Sequence, residues 1–227
     1  MQSLSIKRRK TMMSAKNLKP QIDYTLYLVT DRTLMSSPTL ELAVEAALAG
    51  GCTLIQLREK DASSLEFYQM AVNVKKITDH YQVPLIINDR VDLALAVDAA
   101  GVHVGQRDLP AAIARQLIGP EKILGVSASS LAEAVQAQKD GADYLGIGAM
   151  FATGTKNDAK LVTLEELQKI KAAVTLPLVV IGGINEKTLP QFRGSGINGI
   201  SVVSAVIASA DIAAAARRLK TLVGEII

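Results

Sequence analysis

Eight short runs rich in β-branched and apolar residues recur along this chain, at 26–29, 53–56, 84–87, 102–104, 123–126, 144–147, 178–181 and 200–203. Between them lie Ala- and Leu-rich segments with charged faces, at 40–48, 65–80, 131–139, 164–174 and 211–223. The repeat is about 25 residues, the length of a strand, a loop and a returning helix, so it predicts a parallel sheet. Eight such units in one chain predict a (β/α)8 barrel, with a doubly wound open sheet as the competing architecture. Helix starts are marked where a hydroxyl precedes a carboxylate by three positions, at Ser63 and Glu66, Ser130 and Glu133, and Thr163 and Glu166. In that spacing each side chain satisfies an orphan N–H of the first turn. Gly50, Gly51 and Gly141 stand where helices should end, since glycine takes the left-handed cap without steric cost.

Charge locates a boundary. The net charge is +3, yet residues 1–22 hold Lys7, Arg8, Arg9, Lys10, Lys16 and Lys19 and no acid, which leaves −3 for the rest. The expectation is a basic, flexible arm over 1–22 and one catalytic barrel over 23–227, with no linker inside it. The Lys7–Lys10 cluster is followed by no apolar stretch of the secretory type. No stretch reaches the roughly 20 apolar residues needed to span a bilayer. A cytoplasmic protein without membrane partners is expected. Aromatic residues make up 4% of the chain and Trp is absent, which removes the stacking platforms of single-strand binders, so no nucleic acid partner is expected. One cysteine, Cys52, excludes an internal disulfide and a Cys-rich zinc module. It reads as a small core residue. The sequence leaves the oligomeric state open.

In a barrel the chemistry gathers at the C-terminal ends of the strands. The second run ends Gln56-Leu57-Arg58-Glu59-Lys60, and period-2 alternation puts Gln56, Arg58 and Lys60 on one face and Glu59 on the other. Two cations beside an amide suit a phosphate or diphosphate, although an ordinary charged loop has the same composition. Asn88-Asp89 and Asp108 follow the third and fourth runs. The two aspartates are either helix N-caps or, beside those cations, ligands of a Mg2+ that bridges to phosphate oxygens. His103 reads as a packed strand histidine without a catalytic role. After the sixth run, Thr153, Gly154, Thr155 and Lys156 form a small-residue loop suited to an anion. Gly183 after the seventh run, with Val203 and Ser204 after the eighth, forms the backbone cradle typical of barrel phosphate sites. Two anion sites over one barrel mouth imply two phosphorylated small-molecule substrates.

Taken in order, the segments 27–31 (YLVTD), 56–60 (QLREK), 87–90 (INDR), 101–106 (GVHVGQ) with Asp108, 125–127 (GVS), 153–156 (TGTK), 181–184 (IGGI) and 203–204 (VS) resemble the thiamine-phosphate synthase family. The resemblance runs from about residue 24 to 223. It implies the barrel fold and a transferase that uses Mg2+, one ion per chain. The family joins the diphosphate ester of hydroxymethylpyrimidine to a thiazole phosphate, or its 2-carboxy form, and releases thiamine phosphate and diphosphate. By the same resemblance Gln56, Leu57, Arg58, Glu59, Lys60, Asn88, Ser127 and Lys156 bind the pyrimidine diphosphate. Asp89 and Asp108 hold the metal, and Thr153, Gly154, Thr155, Gly183, Val203 and Ser204 hold the thiazole phosphate. Arg58, Lys60, Lys156 and Ser127 are the catalytic set, and the displacement is expected to be dissociative. The related thiazole tautomerases share the fold, but Lys60, Asn88, Asp89, Asp108 and Lys156 speak against that reading. A non-catalytic binder on the same scaffold is the other alternative. Ala149 and Ala152 stand where the family often has proline, which predicts a looser loop there.

Overall fold

The computed structural model describes residues 19, 21–152 and 161–227. Eight parallel strands close into a barrel in sequence order. They are β1 (Leu26–Val29), β2 (Leu54–Leu57), β3 (Leu85–Asn88), β4 (Gly101–Val104), β5 (Ile123–Ala128), β6 (Tyr144–Ile147), β7 (Leu178–Ile181) and β8 (Gly199–Val202). Closure is made by β1 on β8, with Leu26 opposite Ile200 and Leu28 opposite Val202. The open-sheet alternative is thereby excluded. A closed sheet has no unpaired edge, and the sealed ladder is what fixes the positions of the strand ends.

Both faces of these strands are covered, which is why they read as continuous apolar runs rather than as alternating ones. Outward residues such as Leu26, Leu28, Ile55, Leu57, Ile87, Val102 and Val104 pack under the helices. Inward, Tyr24, Tyr27, Leu54, Ile86, Ile123, Tyr144 and Val179 make a second apolar cluster inside the barrel. Gln56, Asn88, His103 and Ser201 are buried polar residues on the strands, so the barrel interior carries an apolar plug and a polar set.

The helices are α1 (Leu40–Ala49), α2 (Ser64–His80), α3 (Val91–Ala96), α4 (Ala111–Ile118), α5 (Leu131–Lys139), α6 (Leu164–Ala173), α7 (Ser204–Ile207) and α8 (Ile212–Gly224). Five of them lie where the sequence places them, to within a residue or two at the ends. α3, α4 and α7 are additions. Each begins without a side-chain cap, at Arg90, Pro110 and Val203, and α3 and α7 are too short to show a helical period. The seventh unit has only a 3-10 turn, Leu189–Phe192.

Of the three expected capping boxes, one is complete. Ser63 Oγ accepts from the Glu66 amide and the Glu66 carboxylate accepts from the Ser63 amide. Ser130 and Thr163 cap their helices, but Glu133 turns to the Ser129 amide and hydroxyl and Glu166 reaches across to the Leu131 amide. Ser63→Ala should therefore cost about 1 kcal/mol, read as a lower midpoint in urea with an unchanged m-value.

Cys52 is a core residue. Burial pushes its thiol up to about 12, so the thiolate is scarce near neutrality. Native protein at pH 8 should resist thiol alkylation and label fully once unfolded. Of the segment 1–22, only residues 19, 21 and 22 are described, and the Lys19 ammonium meets the Asp143 carboxylate. The remainder of the expected arm lies outside the described residues. No helix among the described residues is long and apolar enough to cross a membrane.

Candidate active site

A cavity of about 350 Å³ opens at the barrel mouth. Gln56, Arg58, Asn88, Ser127, Gly183, Val203 and Ser204 all line it. Seven residues drawn from five sequence segments thus converge on one space.

At one end stand the groups suited to a diphosphate. Arg58 follows β2, with its amide bonded to Thr30 Oγ1 at 3.0 Å and its guanidinium 3.6 Å from Asp31. Asp31 is itself held by the amide and hydroxyl of Thr33. Asn88 ends β3 and is buried, and its Nδ2 finds no partner among the described residues. A buried amide donor without an acceptor costs about 1–3 kcal/mol, a cost that a bound oxyanion would relieve. Ser127, on β5, has its hydroxyl 2.9 Å from His103 Nε2, and its carbonyl accepts from Gln106 Nε2 at 2.7 Å.

One residue past Asn88, Asp89 sits at φ +61°, where the chain bends left-handed out of the strand. Its amide donates to the His103 carbonyl at 2.8 Å and its carboxylate takes Lys60 Nζ at 2.5 Å. Asp108 accepts from the Gly105 amide at 2.7 Å and is within hydrogen-bonding reach of Asp89. Neither aspartate is a helix cap, since α3 is headed by Arg90 and α4 by Pro110. Burial and the neighbouring Asp108 hold Asp89 above the usual carboxylate range, against the pull of Lys60. Asp108 lies below that range. Burial acts upward on it, but the Asp89 hydrogen bond, the Gly105 amide and Lys60 outweigh burial. Two adjacent carboxylates that share one lysine are short of positive charge. Mg2+ takes one or two protein carboxylates and completes its shell with phosphate oxygens and water, so this pair fits it. Among the described residues no group of three or more potential ligands is gathered, which leaves such an ion dependent on substrate oxygens.

The opposite end is a backbone turn. Gly182 and Gly183 have φ +94° and +67°. A Cβ on Gly183 would come within 2.7 Å of Phe151 Cβ, so the position needs glycine for both conformation and space. The Gly183 carbonyl is held by Asn185 Nδ2 at 3.1 Å and Thr188 Oγ1 at 3.0 Å. Across the planar peptide this turns the Ile184 amide the other way. Val203 and Ser204 face the cavity where β8 passes into α7. The described start of the strand-six loop is tied to this turn, with Met150 N on the Ile181 carbonyl and Phe151 N on that of Gly182. Ala149 is buried and its carbonyl accepts from Val162 N at 2.8 Å.

Three side chains of the QLREK segment are not in the cavity wall. Leu57 is fully buried in the outer core, so its side chain cannot meet a ligand. Glu59 is ion-paired to Arg32 at 2.9 Å, pointing away as the alternation predicts. Lys60 joins the aspartates rather than the cavity wall, because β2 ends at Leu57 and the chain bends beyond it. Thr153, Gly154, Thr155 and Lys156 lie outside the described residues. Sequence reasoning gave no role to Thr30, Asp31, Asn185 or Thr188, whose contacts are local props. Period-2 alternation from Tyr27 through Val29 to Asp31 was the available signal for Asp31.

Comparison with known proteins agrees with this geometry. The sequence profile of the thiamine monophosphate synthase family matches residues 26–206. A thiamine-phosphate synthase of Clostridium beijerinckii is 64% identical over 203 residues, covering 89% of this chain and 97% of that protein. One of Ruminiclostridium cellulolyticum is 63% identical over 202 residues, covering 89% and 96%. The structure of a thiamine phosphate pyrophosphorylase from Pyrococcus furiosus superimposes with a TM-score of 0.84 at 41% identity, over 90% of this chain and 98% of that one. A barrel whose mouth gathers these residues, in a chain matched along nearly its whole length, belongs to the thiamine monophosphate synthase family.

Proposed function

We propose that the two ends of the cavity receive the two substrates of the family reaction, the pyrimidine diphosphate by Arg58, Lys60, Asn88 and Ser127 and the thiazole phosphate by Gly183, Val203 and Ser204. The chain is a transferase of thiamine biosynthesis that forms thiamine phosphate and diphosphate. What carries the finer reading is the juxtaposition of a cation-poor carboxylate pair with a cavity that has the Arg58 guanidinium at one end and a glycine turn at the other.

In this reading the C–O bond to the pyrimidine methylene breaks first, and diphosphate leaves with the electron pair. The thiazole nitrogen then gives its lone pair to the methylene carbon. No base is needed to create that nucleophile, which accords with the lack of a serine or cysteine triad among the described groups. Arg58 and Lys60 place positive charge where negative charge grows, and Asn88 Nδ2 and the Ser127 hydroxyl add neutral donors. The glycine turn holds the thiazole phosphate so that its nitrogen lies in line. Asp89 and Asp108 would hold Mg2+, which when bound adds charge at the diphosphate oxygens. Lys156 and Thr153 to Thr155 are assigned by resemblance to the same two ligands. The enzyme would work in the cytoplasm, and catalysis would not need the basic segment over 1–22.

The direct test is product formation from the two substrates with and without Mg2+. Metal-dependent thiamine phosphate with equimolar diphosphate is expected. A folded protein that binds the thiazole phosphate but forms no product would leave the fold and remove the reaction.

A further inference from the structure

A line of hydrogen bonds crosses the barrel interior from one wall of the cavity to the other. Gln56 Nε2 donates to Tyr27 Oη at 2.7 Å. Tyr27 Oη meets Tyr144 Oη at 2.8 Å. Tyr144 Oη meets His103 Nδ1 at 2.9 Å, and His103 Nε2 meets Ser127 Oγ at 2.9 Å. The four links join β2, β1, β6, β4 and β5, and both ends of the line, Gln56 and Ser127, line the cavity.

The proton order along this line follows from its first member. An amide N–H2 can only donate, so Tyr27 Oη accepts from Gln56 and passes its own proton to Tyr144. Burial keeps both phenols protonated, so each has one proton to give. Tyr144 gives its proton to His103 Nδ1. The imidazole then carries hydrogen on Nε2 and donates it to Ser127 Oγ. A hydroxyl that already accepts from the protein has its own proton left to donate.

Packing shows that the ring position is built for. A Cβ on Gly125 would lie 2.5 Å from His103 Nδ1 and 2.2 Å from Tyr144 Cζ. A Cβ on Gly146 would lie 3.1 Å from His103 Cε1. Two glycines on neighbouring strands clear the volume that one imidazole and its tyrosine fill. A histidine serving only as filler would not require that clearance, because an aliphatic side chain and two alanines could occupy the same layer.

We propose that His103 is a positioning residue for Ser127: the tyrosine line holds it as the Nε2–H tautomer, and it aims the serine proton into the cavity. This deepens the proposed reaction and rests on the assignment of Ser127 to the diphosphate end. The histidine itself need not touch substrate.

The test has a ligand-free part and a kinetic part. The chain has two histidines, so 15N spectra of labelled protein contain two imidazoles, and a His103→Asn variant assigns them. The expected result is a neutral ring with hydrogen on Nε2. Hydrogen on Nδ1, or a doubly protonated ring near neutrality, would overturn the proposal. Kinetically, with both substrates and Mg2+, His103→Asn should lower kcat about tenfold with KM nearly unchanged, the loss of one aligned hydrogen bond. Introduced into Ser127→Ala, the same change should cost nothing further. An equal loss in both backgrounds would make His103 a structural residue and overturn the proposal. Wild-type turnover in Ser127→Ala alone would remove the serine's role instead, a separate result visible in the single variant. If His103→Asn does not fold, Tyr144→Phe keeps the ring and deletes the donor to Nδ1, together with the acceptor of the Tyr27 hydroxyl. It should blur the tautomer and reduce kcat severalfold, and unchanged kcat with an unchanged tautomer would again overturn the proposal.

Discussion

Asp89→Asn is expected to lower turnover roughly 100- to 1000-fold while the protein stays folded. The backbone at Asp89 has φ +61°, a conformation that asparagine tolerates and alanine does not, so the amide removes charge without adding strain. The Asp89 amide bond to the His103 carbonyl is a backbone contact and survives the change. What disappears is one of two adjacent carboxylates and the partner of Lys60. The proper control lies one turn of the alternation away. Glu59→Gln breaks the pair with Arg32, whose carboxylate end is largely buried, so it should lower the melting temperature by a few degrees and leave kcat within about threefold. Steady-state kinetics beside thermal melts separates the two. Equal losses of activity from both variants would contradict the division between Lys60 with Asp89 on one side and Glu59 with Arg32 on the other.

Gly125→Ala should be the more damaging change to the fold, although it adds a single methyl. That methyl would sit 2.2 Å from Tyr144 Cζ, 2.3 Å from its hydroxyl and 2.5 Å from His103 Nδ1. None of these is the free end of a long side chain. Tyr144 is wholly buried, tilted against Tyr24 and edge-on to Tyr27. His103 is fixed by bonds at both ring nitrogens. Relief must come from strand displacement or from a broken bond in the line, at a cost of about 3 kcal/mol. A denaturant midpoint lowered by that amount, with kcat reduced in whatever protein folds, is the expected outcome. A fully stable variant would mean that the barrel interior is looser than its contacts imply.

The architecture was legible because a barrel repeats one unit, and eight β-branched runs are hard to misread. Strand limits slipped by a residue at β2, β3 and β8, at the start of β4 by one and at the end of β5 by two, since a buried strand has no polar alternation to mark its ends. α3 was hidden for a different reason: it is six residues long and has no side-chain cap. The site residues announced themselves by charge, as with Arg58, Lys60, Asp89 and Asp108, or by glycine, as with Gly183. The props behind them did not. Thr30 under the Arg58 amide, and Asn185 and Thr188 under the Gly183 carbonyl, are common polar residues whose meaning lies in contacts made by folding. His103 is the clearest case. In sequence it is one histidine in a strand, and only the closed barrel brings it between Tyr144 on β6 and Ser127 on β5. Leu57 shows the opposite failure, a residue carried into the site by its neighbours while its side chain belongs to the core.

If one mouth has two chemically different ends, equilibrium binding of the two substrates should separate them. Calorimetry would compare the pyrimidine diphosphate and the thiazole phosphate, each with and without Mg2+, on the natural sequence and on Asp89→Asn. The account predicts that pyrimidine diphosphate affinity falls at least tenfold on metal removal and again in the variant, while thiazole phosphate affinity stays within about twofold throughout. Equal weakening of both ligands in either case would contradict it, because the glycine turn and the carboxylate pair could not then be separate sites.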